Sequence, residues 1–369
     1  MFNKVYSTKV NVIANFVGNI WIASLSIIFV PIYLHYIGVE SYGLIGFFSS
    51  IQAFITLLDF GLSPTLNREL ARLSVLENRT QEMHDIKRTL EIPNWICAVF
   101  IALFLSALAP LIAHFWVQPK DLSIETVTQA FIILGVNIAI QFSVNFYTGG
   151  LMGLQKQLLL SLISIFCGTL RSVGAFVVLA FVSPTIQSFL LWQGLMVVLQ
   201  VVLLAFTLKS SLPNAPGKGR FQKDLFNKIW RFAAGMTGIT ISALILTQTD
   251  KVILSRMMNL EIFGFYILAI TISGFTTIVV SSINHAVYPR FSRLVSAGDE
   301  TDLREFYHRG CQMVSVFVFP QTIILALFSY DILLIWIGKE EIAVNTYILL
   351  SLVAVGHGLN SLVYLPHSL

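Results

Sequence analysis

The residues in this chain that could do chemistry are ionised and amide side chains set among apolar neighbours. Arg171 stands in SLISIFCGTLRSVGAFVVLAF, about 20 Å from Leu158 at 1.5 Å per helical residue. Asp250 and Lys251 are adjacent in LTQTDKVILSR, with Arg256 at the end of that run, and Asp59 stands in LLDFGLSPT. A charge at the centre of a membrane-crossing helix costs about 2.5 to 3.5 kcal/mol on insertion scales, so each is expected to face protein or water. The polar residues also fall in helical stripes. Asn11, Asn15 and Asn19 share a face, as do Gln52, Thr56, Asp59 and Ser63; Asn137, Gln141 and Asn145; and Ser161, Ser164, Gly168 and Arg171. One stripe is what packing through small and polar side chains produces. Four stripes with embedded charges point to a hydrated cavity for a ligand rich in hydroxyl groups or negative charge. Asp59 and Asp250 read either as internal salt-bridge partners or as groups coupled to a proton or sodium gradient.

Other chemistry is not encoded. The chain has no Walker A sequence for ATP, no HExxH metal motif and no GxSxG nucleophile elbow. Cys97, Cys167 and Cys311 lie in or beside apolar runs without CxxC or CxxH spacing, which reads as small buried hydrophobes rather than a disulfide framework or metal site. His35, His114, His285 and His357 are scattered singly and read as structural, although His285 could titrate near neutral pH. An enzyme is not expected.

The elements that must position these residues are membrane helices. Hydrophobic residues make up 56% of the 369 and charged residues 11%, against about 25% charged in soluble domains, and the mean hydropathy is +0.79. Runs long enough to span lie near Val10–Ile37, Tyr42–Leu66, Ile92–Trp116, Val127–Met152, Leu158–Val182, Gln187–Leu208, Phe232–Met258, Ile262–Val287, Cys311–Ile337 and Ala343–Leu365, ten in all. The first is too long for a cleaved signal peptide and reads as a retained helix. With the N-terminus inside, most of the 23 Lys and Arg residues fall in cytoplasmic segments, and only Lys120, Arg256 and Lys339 in outer loops. An even number of spans returns the C-terminus to the inside.

Residues 209–231, KSSLPNAPGKGRFQKDLFNKIWR, carry Pro213, Pro216, Gly217 and Gly219 and read as a cytoplasmic linker. It divides an N-terminal lobe, 1–208, with six spans from a C-terminal lobe, 232–369, with four. Its basic residues follow the positive-inside pattern and could also attract anionic headgroups. The segment Glu40–Arg88 aligns without a gap on Glu261–Arg309, pairing Glu40 with Glu261, Gly43 with Gly264, Arg72 with Arg293 and Arg88 with Arg309. An internal duplication of membrane helices is the signature of a transporter with two pseudo-symmetric halves. The polar arms of the repeat, Arg68–Glu91 and Tyr288–Gly310, read as short amphipathic helices on the inner surface.

GVESYGLIGF followed by LDFGLSPTLNRELARL, then GLMGLQKQ, TQTDKVILSRMMNLEIFGFYILA and YDILLIWIGKEEIAV, resemble the polysaccharide repeat-unit (O-antigen) flippases of the multidrug, oligosaccharidyl-lipid and polysaccharide exporter superfamily. The resemblance runs over essentially the whole chain through loose, apolar motifs. It implies an all-α integral membrane protein of two lobes around a central cavity, switching by alternating access. Ten spans in place of the family's twelve read as a shortened form. The implied cargo is an oligosaccharide on undecaprenyl pyrophosphate, moved across the bacterial cytoplasmic membrane. Polysaccharide polymerase and chain-length regulator are the implied protein partners. On that reading Arg171 and Lys251 neutralise pyrophosphate or acidic sugars, and the amides of Asn15, Asn19, Gln52, Asn137, Gln141 and Asn145 bind hydroxyls. The rival readings are a cation-coupled drug antiporter, which the embedded Arg171 disfavours, and a truncated non-transporting remnant or assembly scaffold.

Overall fold

The computed structural model describes residues 8–55, 59, 61–76, 79–217, 219–223, 242, 244–297 and 300–367, with all of their side chains except those of 8–15, 282, 285, 286, 288–290, 292, 293, 296, 297 and 367. Among the described residues the regular structure is helical: α1 (Thr8–Ile55), α2 (Leu62–Ser74), α3 (Thr80–Phe115), α4 (Ile124–Gly153), α5 (Gln157–Phe181), α6 (Ile186–Ser211), α7 (residues 244–257), α8 (Leu260–Ala297), α9 (Glu300–Leu327), α10 (Ser329–Ile337) and α11 (Glu340–His367). Eight described segments are long and apolar enough to cross a membrane, making this a multi-pass membrane protein.

Ten crossings were expected, and two places explain the difference. Helix α1 has 48 residues, about 72 Å at 1.5 Å each and more than twice the hydrocarbon thickness. Its helix is interrupted at Gly38, whose φ of 77° and ψ of 169° suit only glycine, so one assigned element holds two of the expected crossings. Of the span expected at Phe232–Met258, residues 232–241 and 243 lie outside the described residues, and the described remainder, α7, is shorter than a membrane crossing.

Extended two residues toward the N-terminus, the alignment of the two segments meets these breaks. Gly38 aligns with Asn259, which lies between the end of α7 and the start of α8, so both segments interrupt the helix at one register. Beyond it the segments diverge. Within the expected span Tyr42–Leu66, α1 is described as far as Ile55, and Gly61, at φ 71° and ψ 17°, starts the separate helix α2. The aligned residue in the second segment is Ser282, and α8 runs through it to Ala297. The second polar arm is therefore not a detached surface helix: without a left-handed glycine, the helical hydrogen-bond ladder has no reason to stop there.

Two compact units emerge. The first comprises Met1–Gly18 and Leu44–Leu260. Its core joins Leu62, Leu66, Leu70 and Leu73 on one face of α2 to Ile86 and Leu90 of α3, Phe146 and Leu151 of α4, and Leu204 and Leu208 of α6. The GLMG motif explains the fit of α2. A Cβ on Gly149 would stand 2.6 Å from the Ser63 carbonyl oxygen, and one on Gly153 2.4 Å from that of Asn67. Small residues let the two backbones touch.

The linker's first part is strapped to α3. The His84 imidazole donates to the Pro213 carbonyl at 2.9 Å, the Gly217 N–H to Gln81 Oε1 at 3.0 Å, and the Arg220 N–H to Asp85 Oδ1 at 2.8 Å. Gln222 adds its backbone N–H to Thr89 Oγ1 at 3.0 Å and its amide to Asp85 Oδ2 at 2.7 Å. Asp85 and Thr89 are buried beneath it. Asp85→Ala removes acceptors from two of these bonds, and trypsin is expected to cut at Arg220 at least about tenfold faster, as the loss of about 1.4 kcal/mol of local protection would give. Unchanged cleavage would show that the strap holds without Asp85.

The second unit comprises Asn19–Gly43 and Glu261–Leu369. Gly264 packs on Val39, where an added Cβ would meet the carbonyl oxygen at 2.4 Å, and the Tyr42 hydroxyl is 3.1 Å from Thr271 Oγ1. Pro31 has no N–H for the Ile27 carbonyl one turn earlier, and the indole of Trp336 on α10 donates to that carbonyl at 3.1 Å. Trp336→Phe is expected to cost about 1 kcal/mol of stability in thermal unfolding, the penalty for a part-buried acceptor left unsatisfied. In Pro31→Ala, where a helical N–H can replace the indole, the same change should cost less. Equal losses in both backgrounds would refute the coupling.

Candidate functional site

The first unit contains a cavity of about 220 Å³ walled by four helices. Helix α1 contributes Ser49 and Gln52, α4 Asn137 and Gln141, α5 Arg171, and α6 Gln193, with Phe48 and Phe189 among the apolar lining. The α4 residues are one helical turn apart on the face that packs against α6, so their stripe points inward rather than to lipid. No Asp, Glu or Lys lines it among the described residues.

Close packing holds the polar groups. The Asn137 amide donates to the Leu190 carbonyl at 2.9 Å, and a Cβ on Gly194 would fall 2.2 Å from Asn137 Oδ1, so glycine at 194 makes room for the side chain. Arg171 Nη2 donates to Gln200 Oε1 at 2.9 Å, and the Trp192 indole donates to the Arg171 carbonyl at 3.2 Å. A Cβ on Gly174 would strike the Trp192 ring at 2.1 Å, which ties that glycine to the same α5–α6 joint. Arg171 is partly exposed, 14 residues past Gln157, about 21 Å along its helix.

Four of the residues expected to bind ligand therefore meet: Gln52, Asn137, Gln141 and Arg171 line one cavity. Asn19 and Asn145 are exposed and do not line it, and the side chain of Asn15 lies outside the described ones. Lys251 turns to its own helix, donating to the Thr247 carbonyl at 3.0 Å and to Gln248 Oε1 at 3.3 Å, with its Nζ 3.9 Å from Asp250 Oδ1. Asp59 accepts from the Ser63 hydroxyl at 2.7 Å and from the Ser63 N–H at 3.2 Å, which anchors the first turn of α2. It lies beyond the end of the first candidate span, and burial pushes its carboxyl above the usual range while the Ser63 bonds pull it down. Ser49, Gln193 and Gln200 were not anticipated. Gln193 and Gln200 are seven residues apart on one face of α6, a spacing that carried the signal.

A second cavity, of about 250 Å³, lies in the second unit between the end of α8 and the start of α9. Its wall mixes Asp302, Glu305 and Arg309, with Arg309 already bonded to Glu305.

Residues 36–344 match the family described as "Polysaccharide biosynthesis protein". The chain belongs to that family. No curated protein matches it by sequence. Among solved structures, this polysaccharide-biosynthesis protein is similar to the lipid II flippase MurJ in an inward closed conformation, with a TM-score of 0.68 and 15% identity over 98% of this chain and 76% of that one. It is also similar to an inward-facing multidrug resistance MATE family transporter of the MOP superfamily, with a TM-score of 0.67 and 13% identity over 97% and 81%. A MOP superfamily transporter from Pyrococcus furiosus, described by the reversed polarity of its binding pocket, gives 0.63 and 14% over 96% and 81%. At these identities the likeness establishes the fold, that of the two-lobe MOP transporters.

Proposed function

We propose that this protein is a flippase for lipid-linked oligosaccharide repeat units, carrying the saccharide and pyrophosphate headgroup of an undecaprenyl carrier from the inner to the outer leaflet of the bacterial cytoplasmic membrane by alternating access between lobes 1–208 and 232–369. The carrying observation is the cavity that joins Arg171 to the amides of Gln52, Asn137, Gln141 and Gln193 within a membrane bundle. A lipid tail can stay in the bilayer, but the headgroup must cross about 30 Å of hydrocarbon and needs donors and acceptors along the way. Carboxamides both donate and accept, as sugar hydroxyls do, and a guanidinium supplies the charge that an anionic headgroup requires. Membership of a polysaccharide-biosynthesis family supports the same cargo. The Lys and Arg distribution supports cytoplasmic termini, and a polymerase and chain-length regulator are the fitting partners on the far side.

The drug-antiporter reading requires a site that attracts organic cations, and the cavity's lining has the opposite charge. Expression in a bacterial strain lacking its own repeat-unit flippase tests both. Restored surface polysaccharide without gained resistance to cationic dyes supports the flippase. Dye resistance without polysaccharide would establish the antiporter, and neither would leave an assembly scaffold.

A further inference from the structure

We propose that the cavity of the first unit reads a sugar carboxylate, that of a uronic-acid-type residue in the repeat unit, rather than the pyrophosphate of the lipid carrier. This rests on the flippase reading and names its substrate class. The lining holds one guanidinium and, among the described residues, no second cation. A pyrophosphate diester is ionised at each phosphorus, so one guanidinium would leave a charge uncompensated among Phe48, Phe189 and the aliphatic wall, which low-polarity surroundings penalise. A single carboxylate is balanced by one guanidinium, whose planar fork matches its two oxygens. The fork is oriented from behind: Gln200, which does not line the cavity, accepts from Nη2, and the Trp192 indole fixes the backbone of Arg171. Gln52, Gln141 and Gln193 bring neutral amides suited to the hydroxyls of the same ring. The volume, about 220 Å³, falls below the roughly 300 to 1,000 Å³ of sites for drug-sized ligands and suits one monosaccharide.

The test uses the full chain in lipid nanodiscs, titrated with methyl glucuronide, methyl glucoside and inorganic pyrophosphate and followed by calorimetry. The glucuronide should bind at least about tenfold more tightly than either of the other two, and Arg171→Gln should weaken it at least tenfold, removing most of its advantage over the glucoside. Tighter binding of pyrophosphate, or equal binding of glucuronide by the variant, would overturn the assignment. Should Arg171→Gln not fold, Arg171→Lys keeps the charge without the fork and should still lose at least about threefold; equal affinity would count against a carboxylate read by the fork. A second arm separates this inference from the transport reading. In two flippase-deficient hosts, one making repeat units with a uronic acid and one making neutral units, rescue of the acidic host alone supports the assignment. Equal rescue of both overturns it while flipping stands. Rescue of neither, with selective glucuronide binding intact, removes the flippase reading and supports the carboxylate site.

Discussion

Arg171→Ala is expected to lower surface polysaccharide by about ten- to a hundredfold in a complemented flippase-deficient strain, with the protein present in the membrane at its usual level. A hydrogen bond to a charged group contributes about 1.5 to 3 kcal/mol, and each 1.4 kcal/mol is a factor of ten. The expectation depends on Arg171 acting on cargo rather than on packing, and Gln200→Leu separates the two. It removes the same Arg171–Gln200 bond of 2.9 Å but keeps the guanidinium in the cavity. Export should then fall by less than Arg171→Ala causes, through a misaimed rather than absent charge. Lys251→Ala should change export by less than about threefold, because its ammonium is already held by the Thr247 carbonyl and the Gln248 amide of its own helix. If Lys251→Ala proved as damaging as Arg171→Ala, the cargo route would have to include α7.

The largest loss of stability is expected from Gly153→Val. The new Cβ would stand 2.4 Å from the Asn67 carbonyl oxygen and 3.1 Å from its carbonyl carbon, and backbone cannot rotate away as a side-chain tip can. Overpacking against side chains costs about 1 to 3 kcal/mol, so a clash between two backbones should reach the top of that range or exceed it. Lower accumulation and an earlier thermal transition in detergent are the readouts. Gly356→Ala is the matched control. Nothing lies within 4 Å of the added Cβ, and alanine is favoured over glycine by up to about 1 kcal/mol inside a helix, so its transition should not fall. A mild Gly153→Val would mean that α2 is free to slide along α4.

Most of the helical framework was legible because apolar runs of twenty or more residues have few other solutions. The shared cavity of the candidate site was legible where polar residues repeated at helical spacing: Asn137 and Gln141 name a face on their own, and Arg171 is too costly to point at lipid. Gln52 was drawn into one stripe with Asp59 and Ser63, and the structure divides that stripe at the helix break. Phe60, Leu62 and Leu66 keep the run apolar, so hydropathy continues past a stop that only Gly61 and Pro64 mark. The strapping of the linker to α3 was not legible. The linker's Pro and Gly content reads as loose chain, whereas Gln81, His84, Asp85 and Thr89, spaced along one face of α3, offer it a row of partners visible only once the two segments meet. The packing role of Gly153 was invisible for the same reason, since what makes a glycine necessary belongs to another helix.

The uninterrupted course of α8 has a mechanical consequence. Its 38 residues make a rod of about 57 Å, and a bilayer's hydrocarbon accounts for only about 30 Å of that. The remainder is a lever with no joint at the register where the first segment turns aside at Gly61. A tilt of about 10° in its membrane portion would sweep the far tip through about 5 Å by simple projection of that overhang. The first segment, interrupted at the same register, has no such amplifier, so two segments that align without a gap supply a stiff pointer in one case and a clipped stub in the other.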